Sequence, residues 1–154
     1  MDNLIICGFS GIGKSTAVHL YKDKVLDFES SYYSKLPDGS QNPAFPQNYV
    51  EAISKEFETG NNKVILTSCH ADVRKLLKEN NLPYLIVLPN ADARNEYVIR
   101  WLSRGSKLSF IKNMYNHWYE YIDSCFEDDA PKVCLETKEY LVSILNRMHW
   151  EAWK

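Results

Sequence analysis

Strands alternating with helices along 154 residues predict an α/β fold, a three-layer α/β/α domain on a five-stranded parallel sheet. Three observations carry this. The glycine-rich stretch "GFSGIGKST" (8–16) lies between an apolar run and a helical pattern, five short apolar runs recur without polar alternation, and helical periodicity fills the segments between them. Right-handed crossovers then cover both faces of the sheet.

Each element follows from its local pattern. "NLIIC" (3–7) fits a strand buried on both faces, and a helix is expected from Lys14 to about Tyr21, with Ala17, Val18 and Leu20 as apolar contacts. "KVLDF" (24–28) reads as the second strand. Residues 30–46, "SSYYSKLPDGSQNPAFP", are polar, aromatic and rich in Pro and Gly, which predicts a long loop of functional or mobile character. Tyr49, Val50, Ile53 and Phe57 recur at helical spacing, with Gly60 marking the end. "KVILTSC" (63–69) is the third strand, "ADVRKLLKEN" a helix, and "YLIVLP" (84–89) the fourth strand, stopped by Pro89. "ADARNEYVIRWLSRG" is a helix closed by Gly105. Ile111, Met114, Trp118, Ile122 and Cys125 repeat at steps of three or four, which predicts one helix over about 108–126. "KVCLE" (132–136) is the fifth strand, and "TKEYLVSILNRM" the last helix, with Thr137 as N-cap. With no internal repeat, linker or low-complexity tract, residues 1–154 are expected to form a single domain.

Composition narrows the function. Apolar residues make up 45% and charged residues 25%, and a net charge of −2 supplies no general basic field for nucleic acid or a membrane surface. Cys7, Cys69, Cys125 and Cys134 form no C-x-x-C pair and have no histidine at metal-ligand spacing, so buried free thiols in a reducing compartment are expected. No leader precedes the first strand and no run approaches the ~20 apolar residues of a membrane span, so a cytoplasmic protein without a membrane partner is expected.

The spacing Gly8, four residues, Gly13, Lys14, Ser15 is the phosphate-binding loop pattern, in its proper place between a strand and a helix. Its glycines let Gly8, Ser10, Gly11, Ile12, Gly13 and Thr16 turn backbone N–H groups onto the phosphates of ATP. Lys14 is expected at the β/γ oxygens and the Ser15 hydroxyl on Mg²⁺. Strand two ends "LDFE", which puts Asp27 and Glu29 on the same side of the chain. Asp27 is assigned as a metal or acceptor-hydroxyl partner with a base role open, and Glu29 as support; solvated strand-end acids are the alternative.

Phosphoryl transfer needs positive groups around the migrating phosphoryl. Arg100 and Arg104 are four apart and share a helix face, while Arg94 is free to face another way. Arg74, one turn past strand three, stands where an acceptor phosphate is expected. His70, at the end of that strand, is either a hydrogen-bonding site residue or a helix cap. Tyr32, Tyr33, Phe45 and Tyr49 flank the long loop, either to stack on a base or to pack beneath it. His19, His117 and His149 read as structural, and Trp150 and Trp153 as packing the C-terminal tail.

The phosphate loop, the "LDFE" strand end and the "SRG" helix end resemble those of small P-loop nucleoside and nucleotide kinases. "FPQNYVEAI", "TSCHADVRKLL", "NEYVIRWLSRG" and "FIKNMYNHW" are most similar to the compact, phage-type deoxynucleoside monophosphate kinases. The resemblance covers most of the chain, though only the phosphate loop is specific by itself. It implies strand order 2-3-1-4-5, an acceptor region at about 29–60 with Glu29, Tyr33, His70 and Arg74 among its contacts, and a lid at about 94–110 carrying Arg100 and Arg104. It further implies ATP and Mg²⁺ as cofactors and a nucleoside monophosphate as acceptor. Strand three departs from the family in ending "ILTSCH", without a carboxylate for the metal.

An alternative keeps the chemistry but moves the phosphoryl group to a hydroxyl, on a small metabolite, a nucleoside, or a modified base or end in DNA. Asp27 would then be the base. Nucleic acid is otherwise not expected as a partner. A GTPase-type switch is disfavoured, because the guanine-reading N-K-x-D is missing and the sole "NK", Asn62-Lys63, continues "VI".

Overall fold

The computed structural model describes residues 3–59 and 63–148; Gly60, His149, Trp150 and Trp153 lie outside them. Five parallel strands form one sheet in the order β2-β3-β1-β4-β5. They are β1 (Leu4–Gly8), β2 (Val25–Asp27), β3 (Val64–Ser68), β4 (Tyr84–Pro89) and β5 (Lys132–Leu135). The register sets Gly8 beside Ser68 and Val87, and Asp27 beside Leu66. The C-terminal ends of the three strands nearest the middle therefore open on the same edge.

The helices are α1 (Lys14–Leu20), α2 (Ser31–Ser34), α3 (Gln47–Phe57), α4 (Ala71–Glu79), α5 (Arg94–Ser103), α6 (Leu108–Asn116), α7 (Trp118–Glu127) and α8 (Leu141–Arg147), with a 3₁₀ turn at Ala91–Ala93. Right-handed crossovers that change direction at β2 put α1 on one face and α3, α4 and α7 on the other. Packing agrees: α1 meets α8, α3 meets α4, and α7 lies on β4. Covered from both sides, β1 and β3 are buried along nearly their whole length, as their unbroken apolar runs required. The architecture is the three-layer α/β/α arrangement expected, in keeping with a P-loop-like fold. No helix among the described residues is long and apolar enough to cross a membrane.

Three local expectations are corrected. The pattern over 108–126 is two helices that break at His117, whose φ of −108° and ψ of 14° lie outside the helix; apolar spacing carried across the break because both helices bury toward the same core. The last helix starts at Leu141, not Thr137. Residues 136–140 make a turn, with Lys138 at φ 67° and Glu139 accepting from the Glu136 N–H, and Tyr140 takes the N-cap position. The stretch 30–46 is more ordered than a plain loop: it holds α2 and a Lys35–Gln41 bridge closed by an Asp38–Ser40 turn.

Candidate functional site

The glycine-rich loop leaves the sheet at Gly8 and enters α1 through Gly13. Gly11 (φ 92°) and Gly13 (φ 96°) have left-handed backbones that favour glycine. The surroundings also demand it. A Cβ on Gly11 would lie 3.0 Å from the Trp101 indole nitrogen, and one on Gly13 would lie 2.9 Å from the Tyr140 ring. The loop is seated on an aromatic floor of Phe9, Tyr97, Trp101 and Trp118, packed edge to face.

Lys14 donates from Nζ to the Gly8 carbonyl at 3.1 Å, which holds its ammonium over the loop mouth. Ser10, Ser15 and Thr16 border the cleft beside it. Ile12 contributes backbone only: its side chain is buried in the core and its carbonyl accepts from the Leu141 N–H at 2.8 Å. That bond joins the loop to the start of α8.

Arg100, in the last turn of α5, and Arg104, at its C-cap, part company. Arg100 turns inward. It donates to the carbonyls of Gly11 (2.9 Å) and Glu139 (2.8 Å), pairs with Glu96 (2.9 Å), and lies between the Tyr97 and Tyr140 rings. It borders the cleft, but these bonds tie its guanidinium to the loop and to Glu96, which leaves it less free to move than Arg104. Arg104, one turn on, is exposed and donates to the Ser10 hydroxyl at 2.9 Å and to Ser106 at 3.0 Å. Burial lowers its pKa somewhat, and Glu29 opposes that. Arg94 lies over the Tyr115 and Tyr119 rings and does not border the cleft.

Asp27, at the end of β2, and exposed Glu29 border the same cleft as Lys14. Burial raises the Asp27 pKa, Lys14 pulls it back, and Glu29 pushes it further up. No cluster of three or more His, Cys, Asp or Glu suited to a metal occurs among the described residues. Mg²⁺ needs no such cluster, since it binds through one or two protein oxygens plus substrate phosphates. Ser15 and Asp27, both on the cleft, fit that requirement.

Arg74 is not the free acceptor-phosphate ligand expected. It is buried, and its guanidinium donates to the Cys69 carbonyl (3.0 Å), the Ser124 carbonyl (3.3 Å), the Ser124 hydroxyl (2.7 Å) and Asp128 (2.8 Å). Asp128 also accepts from the Tyr84 hydroxyl at 2.7 Å. A spacing argument cannot see a partner 54 residues away. His70 sits at the N-cap position of α4 without a side-chain capping bond, exposed on the cleft. Tyr33 lies outside the cleft lining and packs with Phe28, Tyr49 and Phe45 under the 30–46 segment, so packing wins there over stacking on a base.

Other site residues have no local signature. Tyr49 accepts from the Ser68 N–H at 3.0 Å and donates to the Phe28 carbonyl, tying the ends of β2 and β3 together. Phe110, Met114, Tyr121, Ser124 and Cys125 also border the cleft. Lys138 and Tyr140 close the other end, on the turn after β5. The cleft measures about 1140 Å³, beyond the ~300–1,000 Å³ typical for one drug-sized ligand.

No family model matches the chain, and no curated protein matches it. Among solved structures it is similar to the crystal structure of an uncharacterized protein from Eubacterium ventriosum, at 13% identity over 98% of each chain, with a TM-score of 0.48.

Proposed function

We propose that the protein transfers the γ-phosphoryl group of ATP, as its Mg²⁺ complex, to a (deoxy)nucleoside monophosphate, yielding the diphosphate. The supporting observation is convergence. Lys14 on the glycine-rich loop, Asp27 from β2 and Arg104 from the C-cap of α5 border one cleft large enough for donor and acceptor together. Such a transfer asks the protein mainly for position and for positive charge around the migrating group. Lys14 meets the β/γ oxygens, and Arg104, the exposed arginine at the loop, reaches the phosphoryl group. Ser15 and Asp27 would hold Mg²⁺ together with the phosphates, and the ion would supply charge neutralisation.

A hydroxyl acceptor is a second reading, favoured by a specific observation. Arg74 spends four of its N–H bonds on protein partners, so a dianionic acceptor phosphate finds little free positive charge on that wall. Asp27, with its pKa raised, is suited to take the proton of a hydroxyl.

Incubation with γ-labelled ATP, Mg²⁺ and a panel of nucleoside monophosphates, nucleosides and DNA tests both. Label in a nucleoside diphosphate supports the first reading, and label on a nucleoside or DNA end the second. Absence of transfer to every acceptor, with ATP bound, overturns both.

A further inference from the structure

Two cysteines that phosphoryl transfer does not use face each other across the inner cleft. Cys69, just past β3, and Cys125, on α7, have their sulfurs 3.5 Å apart and both border the cleft. Arg74 fixes that approach. Its Nε–H donates to the Cys69 carbonyl, and its two terminal nitrogens donate one to the carbonyl and one to the hydroxyl of Ser124, next to Cys125 in the chain. Asp128 secures the guanidinium itself.

The other cysteines show what this pair has that they lack. Cys7 is fully buried, takes a hydrogen bond from Thr67, and burial pushes its pKa up to about 12, which makes it inert. Cys134 is exposed, where a buried thiol was expected.

We propose that Cys69 and Cys125 are a reversible oxidation site, a dithiol that a peroxide converts to an intramolecular disulfide. Reactive thiols need thiolate character, a nearby positive charge and a resolving cysteine. Sharing a proton with Cys69 draws the Cys125 thiol below its ordinary pKa, burial opposes this, and the Arg74 charge adds to the lowering. Cys125 is itself nearly buried, but unlike Cys7 it borders the cleft, and Cys69, partly exposed, opens the pair to it.

The chemistry balances. The Cys125 thiolate attacks one oxygen of hydrogen peroxide; the O–O bond breaks, and hydroxide leaves and is protonated, giving a sulfenic acid and water. Cys69 then attacks that sulfur, the S–O bond breaks, and the departing oxygen takes the Cys69 proton as a second water. Two electrons pass from the thiols to the peroxide. Closing the pair from 3.5 Å to an S–S bond of about 2.05 Å draws the β3 end toward α7 and narrows the inner cleft. Any effect on acceptor binding rests on the proposed transfer; the oxidation does not.

The test uses the full chain carrying Cys134→Ser, which removes the exposed thiol and its cross-linking. Treat with hydrogen peroxide, alkylate the remaining thiols after unfolding, and map the peptides. The expected result is a loss of two hydrogens, a Cys69–Cys125 linked peptide, Cys7 still alkylated, and full reversal by dithiothreitol. Cys69→Ala and Cys125→Ala should each abolish the linked peptide, and Cys69→Ala should leave a sulfenic acid on Cys125 that dimedone traps. Equal oxidation of the pair and Cys7, or a pair that stays reduced while peroxide is consumed elsewhere, overturns the proposal. Neither outcome bears on ATP transfer, so its failure and that of the kinase reading are separable.

Discussion

Arg100 donates to the Gly11 carbonyl at 2.9 Å while Arg104, at the C-cap of the same helix, donates to the Ser10 hydroxyl at 2.9 Å. Two arginines four residues apart thus hold adjacent residues of one loop, the first with its guanidinium nearly buried and the second exposed on the cleft. The difference separates their expected phenotypes. Arg100→Ala removes a nearly buried guanidinium and leaves Glu96 without its cation, so it should cost about 3 kcal/mol or more. For a domain of this size that lowers the thermal midpoint by roughly 6–12 °C. Arg104→Ala should leave the midpoint within about 2 °C, as exposed substitutions do. It should lower kcat by a larger factor than it raises the KM for ATP. Calorimetry and steady-state kinetics on both variants check the split; the reverse pattern would exchange their roles.

Lys14→Ala should reduce transfer on the order of 10³-fold while the thermal midpoint stays in place. Its Nζ holds one loop carbonyl at the edge of the cleft, and no core packing depends on it. Unchanged turnover in a folded variant would remove the phosphate-loop assignment.

Asp27→Asn discriminates between acceptors. If the acceptor is a hydroxyl, the variant should lose about 10²–10⁴-fold in kcat, the usual contribution of a general base. The acid limb of the wild-type kcat/KM profile should then lie above the ordinary aspartate value of 3.8, because the pKa of Asp27 is raised. If the acceptor is a monophosphate and Asp27 serves Mg²⁺, the variant should instead demand more Mg²⁺ for half-maximal rate. A rate profile against pH and a Mg²⁺ titration tell these apart.

The Arg74–Asp128 pair predicts how stability responds to acid. Burial works to raise the Asp128 pKa, but the donors from Ala130, Tyr84 and Arg74 outweigh it and hold the pKa at about 2. Because the folded value lies below the ordinary 3.8, the contribution is complete above about pH 4 and is lost as pH falls toward 2. Arg74→Ala should cost about 3 kcal/mol at pH 7 by removing the nearest cation of buried Asp128, which keeps the more distant Lys78 at 3.5 Å. Asn in place of Asp128 should flatten the dependence of the midpoint between pH 4 and 2. Thermal melts across that range measure both; an unchanged slope in the Asn variant would show that other carboxylates carry it.

Strand identity, the phosphate loop and the edge on which the site opens were legible in local pattern. An apolar run of four to six residues has few ways to bury both faces, and left-handed turns at fixed offsets call for glycine wherever they occur. Asp27 was legible too, because a carboxylate ending a buried strand reaches the sheet edge whatever else the chain does. Local pattern could not divide Arg100 from Arg104. Equal helical spacing says that two side chains share a face, but not that a carbonyl of Gly11 lies in reach of the first and open cleft beside the second. Nor could it show that Arg74 would be claimed by Ser124 and Asp128, or that Cys69 and Cys125 would meet. Those partners lie 50 to 56 residues apart and come together only when α7 packs over β4 beside the end of β3. Local pattern placed the glycine-rich turn, Lys14 and the strand-end carboxylate, since residue type and short spacing are enough to set a strand, a tight turn and a helix start in order. Tertiary structure alone decided which cations remain free to act, because a guanidinium's partners are set by the elements packed around it.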